Sequence, residues 1–364
     1  MGRTNYLIAT LSLHMIWLLF LSKPCSALEL KISGSFPAIL IFGDSTVDTG
    51  NNNFIPTIFK ANYPPYGQDF PGHVATGRFS DGKLIPDMVA SRLGIKELVP
   101  PFLDPKLSDD DVKTGVSFAS AGSGFDDLTT AISKVIPVMK QIDLFKSYIQ
   151  RLRGIVGVDE SRRIISNALV VISAGTNDLN INFYDLPTRQ LQYNVSGYQD
   201  FLQYRLQSLI KEIYQLGCRT IVVAGLPPVG CLPIQESIAF QNPQDRKCLE
   251  DQNSDSKAYN QKLSKLLGNL QPQLPGSTIL YADIYTPLIG MVNNPRNYGF
   301  EQTNVGCCGT GLAEAGPLCN NRTATTCENP SKFMFWDSIH PTEAAYKFIT
   351  ESLLKQFVDH LKRN

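Results

Sequence analysis

Histidine is scarce in this chain. There are four in 364 residues, at positions 14, 73, 340 and 360. A reaction that needs an imidazole has few places to go. Net charge is absent as well, since 33 basic residues balance 33 acidic ones. Such a surface offers no electrostatic footprint for a polyanion, which excludes nucleic acid as a partner. Past the first thirty residues no apolar run is long enough to span a bilayer, so no stable membrane anchor is expected. No Gly-x-Ser-x-Gly occurs, the strand–turn–helix elbow of the common α/β hydrolases. No Cys-x-x-Cys occurs either, so structural zinc lacks its usual ligand spacing. Neither metal nor organic cofactor is expected. Repeats, low-complexity tracts and linkers are missing too, so one domain is the simplest organisation.

The N-terminus reads as a secretory leader. Arg3 lies in a short polar start, residues 6–21 are almost wholly apolar, and Cys25-Ser26-Ala27 supplies the small residues of a cleavage site. Cleavage is expected after Ala27, leaving 28–364 as one domain outside the cell. Cysteine usage agrees. Of eight cysteines, Cys25 departs with the leader; Cys218, Cys231, Cys248, Cys307, Cys308, Cys319 and Cys327 remain. Cys218 falls between a helix end and a strand, the place of a buried free thiol. Cys231 is expected to pair with Cys248, and the other four among themselves. Asn194-Val195-Ser196 and Asn321-Arg322-Thr323 are glycosylation sequons, placing glycans on Asn194 and Asn321.

Apolar, β-branched runs at 38–42, 116–119, 169–174, 220–224 and 278–282 predict strands, and 333–336 leads into Asp337. Helical periodicity covers 84–93, 137–153, 159–167, 198–216, 249–270, 287–292 and 343–361. Residues 100–103 and 109–111 read as loop. Strands alternate with helices throughout. That predicts an α/β fold, a mostly parallel sheet with helices on both faces. The proline-rich stretch 54–81 is a long loop of the kind that carries function.

Chemistry concentrates at the strand ends, where open α/β sheets bind ligands. Ser45 follows the first strand in Phe42-Gly43-Asp44-Ser45. As a helix N-cap it would be ordinary; as a nucleophile it needs a base, an orienting carboxylate and oxyanion donors. His340 lies three residues after Asp337, within reach of one turn. Gly122 follows the second candidate strand and Asn177 the third. Each has a plain alternative, in turn geometry or an Asx-turn. Together they supply a complete set: Ser45, His340 and Asp337 for proton and acyl transfer, with Ser45 N–H, Gly122 N–H and the Asn177 amide for the oxyanion.

These ordered blocks resemble the plant secreted GDSL-type esterase/lipases of the wider SGNH hydrolases. Residues 42–53 match the first block, 115–124 the second, Gly175-Thr176-Asn177-Asp178 the third and 337–340 the last. Ser117 stands where relatives often carry Asn. The resemblance implies a three-layer α/β/α sandwich of flavodoxin-like topology. It implies a secreted monomer in the apoplast or cell wall that cleaves small-molecule, lipid or polysaccharide esters. An acyltransferase or carbohydrate O-deacetylase using the same residues, or a binding protein that keeps only the fold, are the alternatives.

Overall fold

The computed structural model describes residues 36–363 apart from 187, 241, 243, 244 and 323. The expected leader and its cleavage site lie outside the described residues. The strands are β1 Ile39–Gly43, β2 Leu169–Ser173, β3 Thr220–Ala224, β4 Thr278–Ala282, β5 Gln302–Gly306 and β6 Phe333–Phe335. Between β1 and β2 run α1 Ile85–Arg92, α2 Asp109–Thr114, α3 Asp127–Ser133, α4 Gln141–Val156 and α5 Val158–Asn167. Then come α6 Thr176–Leu179, α7 Val195–Gln215, α8 Pro233–Ala239, α9 Glu250–Leu270, α10 Tyr285–Asn293 and α11 Glu343–Arg363.

Four strands form one parallel sheet in the spatial order β1-β2-β3-β4. Alternate side chains go to opposite faces. On one face Leu40, Phe42, Val170, Ile172, Ile221 and Val223 join α4, α7 and α9 in the main core. On the other, Ile39, Ile41 and Leu169 meet α1 and the partly buried Leu354 and Phe357 of α11. The result is the expected α/β/α sandwich.

Two expectations need correction. Residues 116–119 do not form a regular strand. They lie beside β1, where Ile41 N–H donates to Val116 O (3.1 Å) and Phe118 N–H to Ile41 O (2.8 Å). The ladder stays incomplete at Gly43, whose N–H goes to Gln141 Oε1 and not to this segment. The Ser117 hydroxyl donates to Val47 O and accepts from Ala119 N–H. Counted as a fifth position, this segment gives the 2-1-3-4-5 order of flavodoxin-like sheets. Second, residues 109–111 open α2. The Ser108 side chain accepts from Asp111 N–H, and three aspartates sit in the first turn where the helix dipole favours them. Two further strands are not read from the sequence: β6 lies outside the main sheet and pairs in parallel with β5, a strand too polar to announce itself.

The disulfides are Cys231–Cys248, Cys307–Cys327 and Cys308–Cys319. Cys218 is a buried free thiol, pushed up to about 12 by desolvation.

Candidate active site

β1 ends at Gly43, whose φ of +145° and tight surroundings require glycine: a Cβ there would lie 1.9 Å from Ser173 O. The Gln141 side chain grips this residue on both sides. Gly43 N–H donates to Gln141 Oε1 (2.8 Å), and Gln141 Nε2 donates to Gly43 O (2.7 Å). Asp44 Oδ1 then accepts from Thr46 N–H (3.0 Å) and Thr46 Oγ1 (2.8 Å). Ser45 is held between them at the turn's crest.

His340 Nε2 lies 2.8 Å from Ser45 Oγ. Its Nδ1 lies 2.9 and 2.8 Å from the two carboxylate oxygens of Asp337. Asp337 Oδ1 also accepts the backbone N–H groups of Ile339 (2.9 Å) and His340 (2.7 Å). The carboxylate is thus both the turn's cap and the imidazole's partner. Trp336 N–H closes the turn on His340 O at 2.7 Å. With a carboxylate on Nδ1, that nitrogen carries the proton and Nε2 is left to accept one from serine.

Tyr66, from the long loop, donates its hydroxyl to Asp337 Oδ2 (2.8 Å) and accepts from Gly316 N–H (2.8 Å). Burial and the nearby Asp337 hold its phenol well above the ordinary range, so it stays a donor. Phe79 from the same loop lies against the imidazole, ring centres 4.9 Å apart.

Gly122 sits in a buried turn at φ +81°. Its neighbours' N–H groups are committed, Ala121 to Asp48 Oδ2 and Ser123 to Ser120 O. The N–H groups of Ser45 and Gly122 have no acceptor among the described residues. Gly124 is used differently, packed so that a Cβ would meet Asp178 Oδ1 at 2.1 Å. Asn177 donates one amide hydrogen to Ser123 O (2.9 Å); an amide nitrogen carries two. Asp178 fixes this corner by accepting from Phe125 N–H, Asp126 N–H and Thr129 Oγ1. Desolvation pushes the Asp178 carboxyl up to about 7 and those of Asp44 and Asp48 up to about 6.

Sequence reasoning missed Tyr66 and the work of the Asn run. Asn51 Nδ2 donates to Ser117 O and Ala119 O, and Asn52 Nδ2 to Phe59 O and Ala121 O. These amides stitch the serine turn to the glycine turn. A run of three polar residues just past a buried strand was the available signal. Of the remaining candidates, Asn194 and Asn321 are exposed, and Asn194 caps α7 through Gly197 N–H. Thr323 of the second sequon lies outside the described residues. Among the described residues no His, Cys, Asp and Glu group is arranged to hold a metal ion.

A flavodoxin-order sheet carrying a hydrogen-bonded Ser–His–Asp chain at its carboxyl edge has the architecture of a serine hydrolase. The chain belongs to the GDSL-like lipase/acylhydrolase family, whose model matches residues 39–353. That membership makes it a carboxylic ester hydrolase. It is similar to GDSL esterase/lipase At2g30310 of Arabidopsis thaliana, 59% identical over 316 residues, or 86% of this chain and 88% of the relative. GDSL esterase/lipase At1g06990 of the same plant is 52% identical over 339 residues, covering 92% and 94%.

Proposed function

We propose that the chain hydrolyses carboxylic esters through an acyl-enzyme on Ser45. Ser45 Oγ attacks the acyl carbonyl carbon while His340 Nε2 takes its proton. The carbonyl π pair moves to oxygen, and that oxyanion is held by Ser45 N–H, Gly122 N–H and the Asn177 amide. Each such donor is worth about 3–4 kcal/mol of transition-state stabilisation. Collapse breaks the bond to the alcohol, which leaves with the proton from His340. Water then repeats the sequence on the acyl-enzyme and restores Ser45. Asp337 orients the imidazole and balances its positive charge, and Tyr66 holds Asp337.

The observation that carries this reading is the 2.8 Å approach of His340 Nε2 to Ser45 Oγ, with Asp337 on the opposite ring nitrogen. Small-molecule and lipid esters are the substrate class. Removal of residues 1–27 and residence outside the cell, in the apoplast or cell wall, as a monomer glycosylated at Asn194 and Asn321, complete the proposal. The three disulfides support an oxidising compartment.

The test compares the secreted protein with Ser45→Ala on p-nitrophenyl esters. Wild type should turn over and the variant should lose at least about 1000-fold in kcat. Activity retained in folded Ser45→Ala would refute the mechanism. N-terminal sequencing of the same preparation should begin at Leu28.

A further inference from the structure

β3 is an interior strand, and interior strands of parallel sheets are normally buried on both faces. Here one face is not. Along β3 the residues Ile221 and Val223 are buried, while Thr220, Val222 and Ala224 remain half-buried. Val171 on neighbouring β2 is half-buried on the same side. The reason is a cleft of about 560 Å³ between this face of the sheet, α1 and α11, which also wraps the edge strand β4 onto Leu267 and Gly268 of α9. That is within the usual range for small-molecule sites. Its floor is Val171, Val222 and Leu280, and its roof is Ile349, Leu353 and Phe357. Both ends of β2, Leu169 and Ser173, line it. It therefore runs the depth of the sheet, roughly 13–17 Å at the rise of a strand.

One end of the cleft reaches the carboxyl edge of the sheet near the candidate active site, although Ser45, Asn177 and His340 themselves do not line it. Thr46, Thr176 and Ile339 line the cleft, and they are the chain neighbours of Ser45, Asn177 and His340. Thr46 Oγ1 and Ser173 Oγ lie 3.1 Å apart at this rim, and below them the walls are mainly aliphatic.

We propose that this cleft receives the acyl chain of the ester whose carbonyl is attacked by Ser45. The inference rests on that reading of Ser45 and names the acyl class: medium to long and unbranched. Chemistry favours this occupant. The walls are mainly aliphatic, and a flexible hydrocarbon needs only apolar walls and continuity with the reacting carbonyl.

Val222 and Ala224 lie two residues apart on one strand face, about 6.6 Å, with Ala224 nearer the carboxyl edge. Tryptophan at each should block the channel at a different depth. The experiment measures kcat/KM on p-nitrophenyl esters from acetate to palmitate for wild type, Val222→Trp and Ala224→Trp. Val222→Trp should lower the palmitate-to-butyrate ratio at least tenfold. Ala224→Trp should move the cut-off to shorter chains still. A companion measurement needs no turnover: displacement of a fluorescent fatty acid by palmitate from Ser45→Ala, alone and combined with Val222→Trp. Binding should be present in the first and lost in the second. Unchanged chain-length ratios in folded variants, or no palmitate binding to Ser45→Ala, would overturn the assignment. Should the tryptophan variants misfold, the Ser45→Ala displacement result decides. Activity surviving in Ser45→Ala would instead remove the underlying mechanism, so the two failures are separable.

Discussion

Replacing Tyr66 with Phe removes one hydroxyl and keeps the ring that packs against Phe79 and Trp336. That hydroxyl makes two bonds, donating to Asp337 Oδ2 and accepting from Gly316 N–H. A hydrogen bond to a charged group contributes about 1.5–3 kcal/mol. The carboxylate would not be orphaned, because two backbone N–H groups and His340 Nδ1 remain on it. The loss should therefore stay near the lower end, and about 1.4 kcal/mol is a factor of 10 in rate. Tyr66→Phe is expected to lower kcat/KM about 10-fold, mostly in kcat. Steady-state kinetics, beside circular dichroism and a melting curve, tests this. A lower melting temperature with unchanged kcat and KM would mean that Tyr66 is only structural. Wild-type kinetics in every respect would refute the argument.

Stability should depend on pH in a direction set by burial. Desolvation raises Asp44 and Asp48 to about 6, and Asp81 and Asp178 to about 7, from 3.8. Between about pH 4 and 7 the folded chain holds protons that the unfolded chain has released, so stability falls as pH rises through that window. The melting temperature should be higher at pH 5 than at pH 8 by about 5 °C, and an equal or reversed order would contradict this. Arg78→Ala should cost about 3–5 kcal/mol in urea denaturation. It strips a bidentate partner from the buried Asp87 carboxylate, where both contacts are 2.8 Å. A loss under about 1 kcal/mol would show that Asp87 is satisfied without it.

What could be read from the residues depended on how local the cause was. β1 to β4 announced themselves because a strand buried in a parallel sheet needs a short apolar run and nothing else. Residues 116–119 carried the same run, yet Gly43 N–H turns to the distant Gln141 side chain and leaves the ladder incomplete. The aspartates at 109–111 looked like loop because their benefit comes from the dipole of the helix they begin. His340 could be found by scarcity: His14 falls in the leader, His73 in a proline-rich loop and His360 in the C-terminal tail. Tyr66 could not be found that way. Its partner is 271 residues away, and a tyrosine among prolines has no pattern that points there. The apolar cleft was hidden for a related reason, since a half-covered face reads like a covered one in the alternation of β3.

The two halves of the Ser–His pair rest on different foundations. Ser45 is held by the sheet, through Gly43, Gln141 and the amides of Asn51 and Asn52. His340 is held by the long loop. Tyr66 reaches Asp337, Phe79 lies on the imidazole, and Ser80 Oγ donates to Pro341 O at 3.0 Å. Asp81 Oδ1 accepts Glu343 N–H at 2.7 Å and so caps α11, while Glu343 returns a carboxylate to Lys83 N–H at 2.7 Å. On the far side, Cys307 and Cys308 donate their backbone N–H groups to Phe335 O and Trp336 O, tying the disulfide segment to the strand that leads into the turn. A loop that looks like an insertion between β1 and α1 therefore does for the base what the sheet does for the nucleophile. Its length follows from that role, because it must leave the sheet beside Ser45, cross to the C-terminal turn and return to start α1.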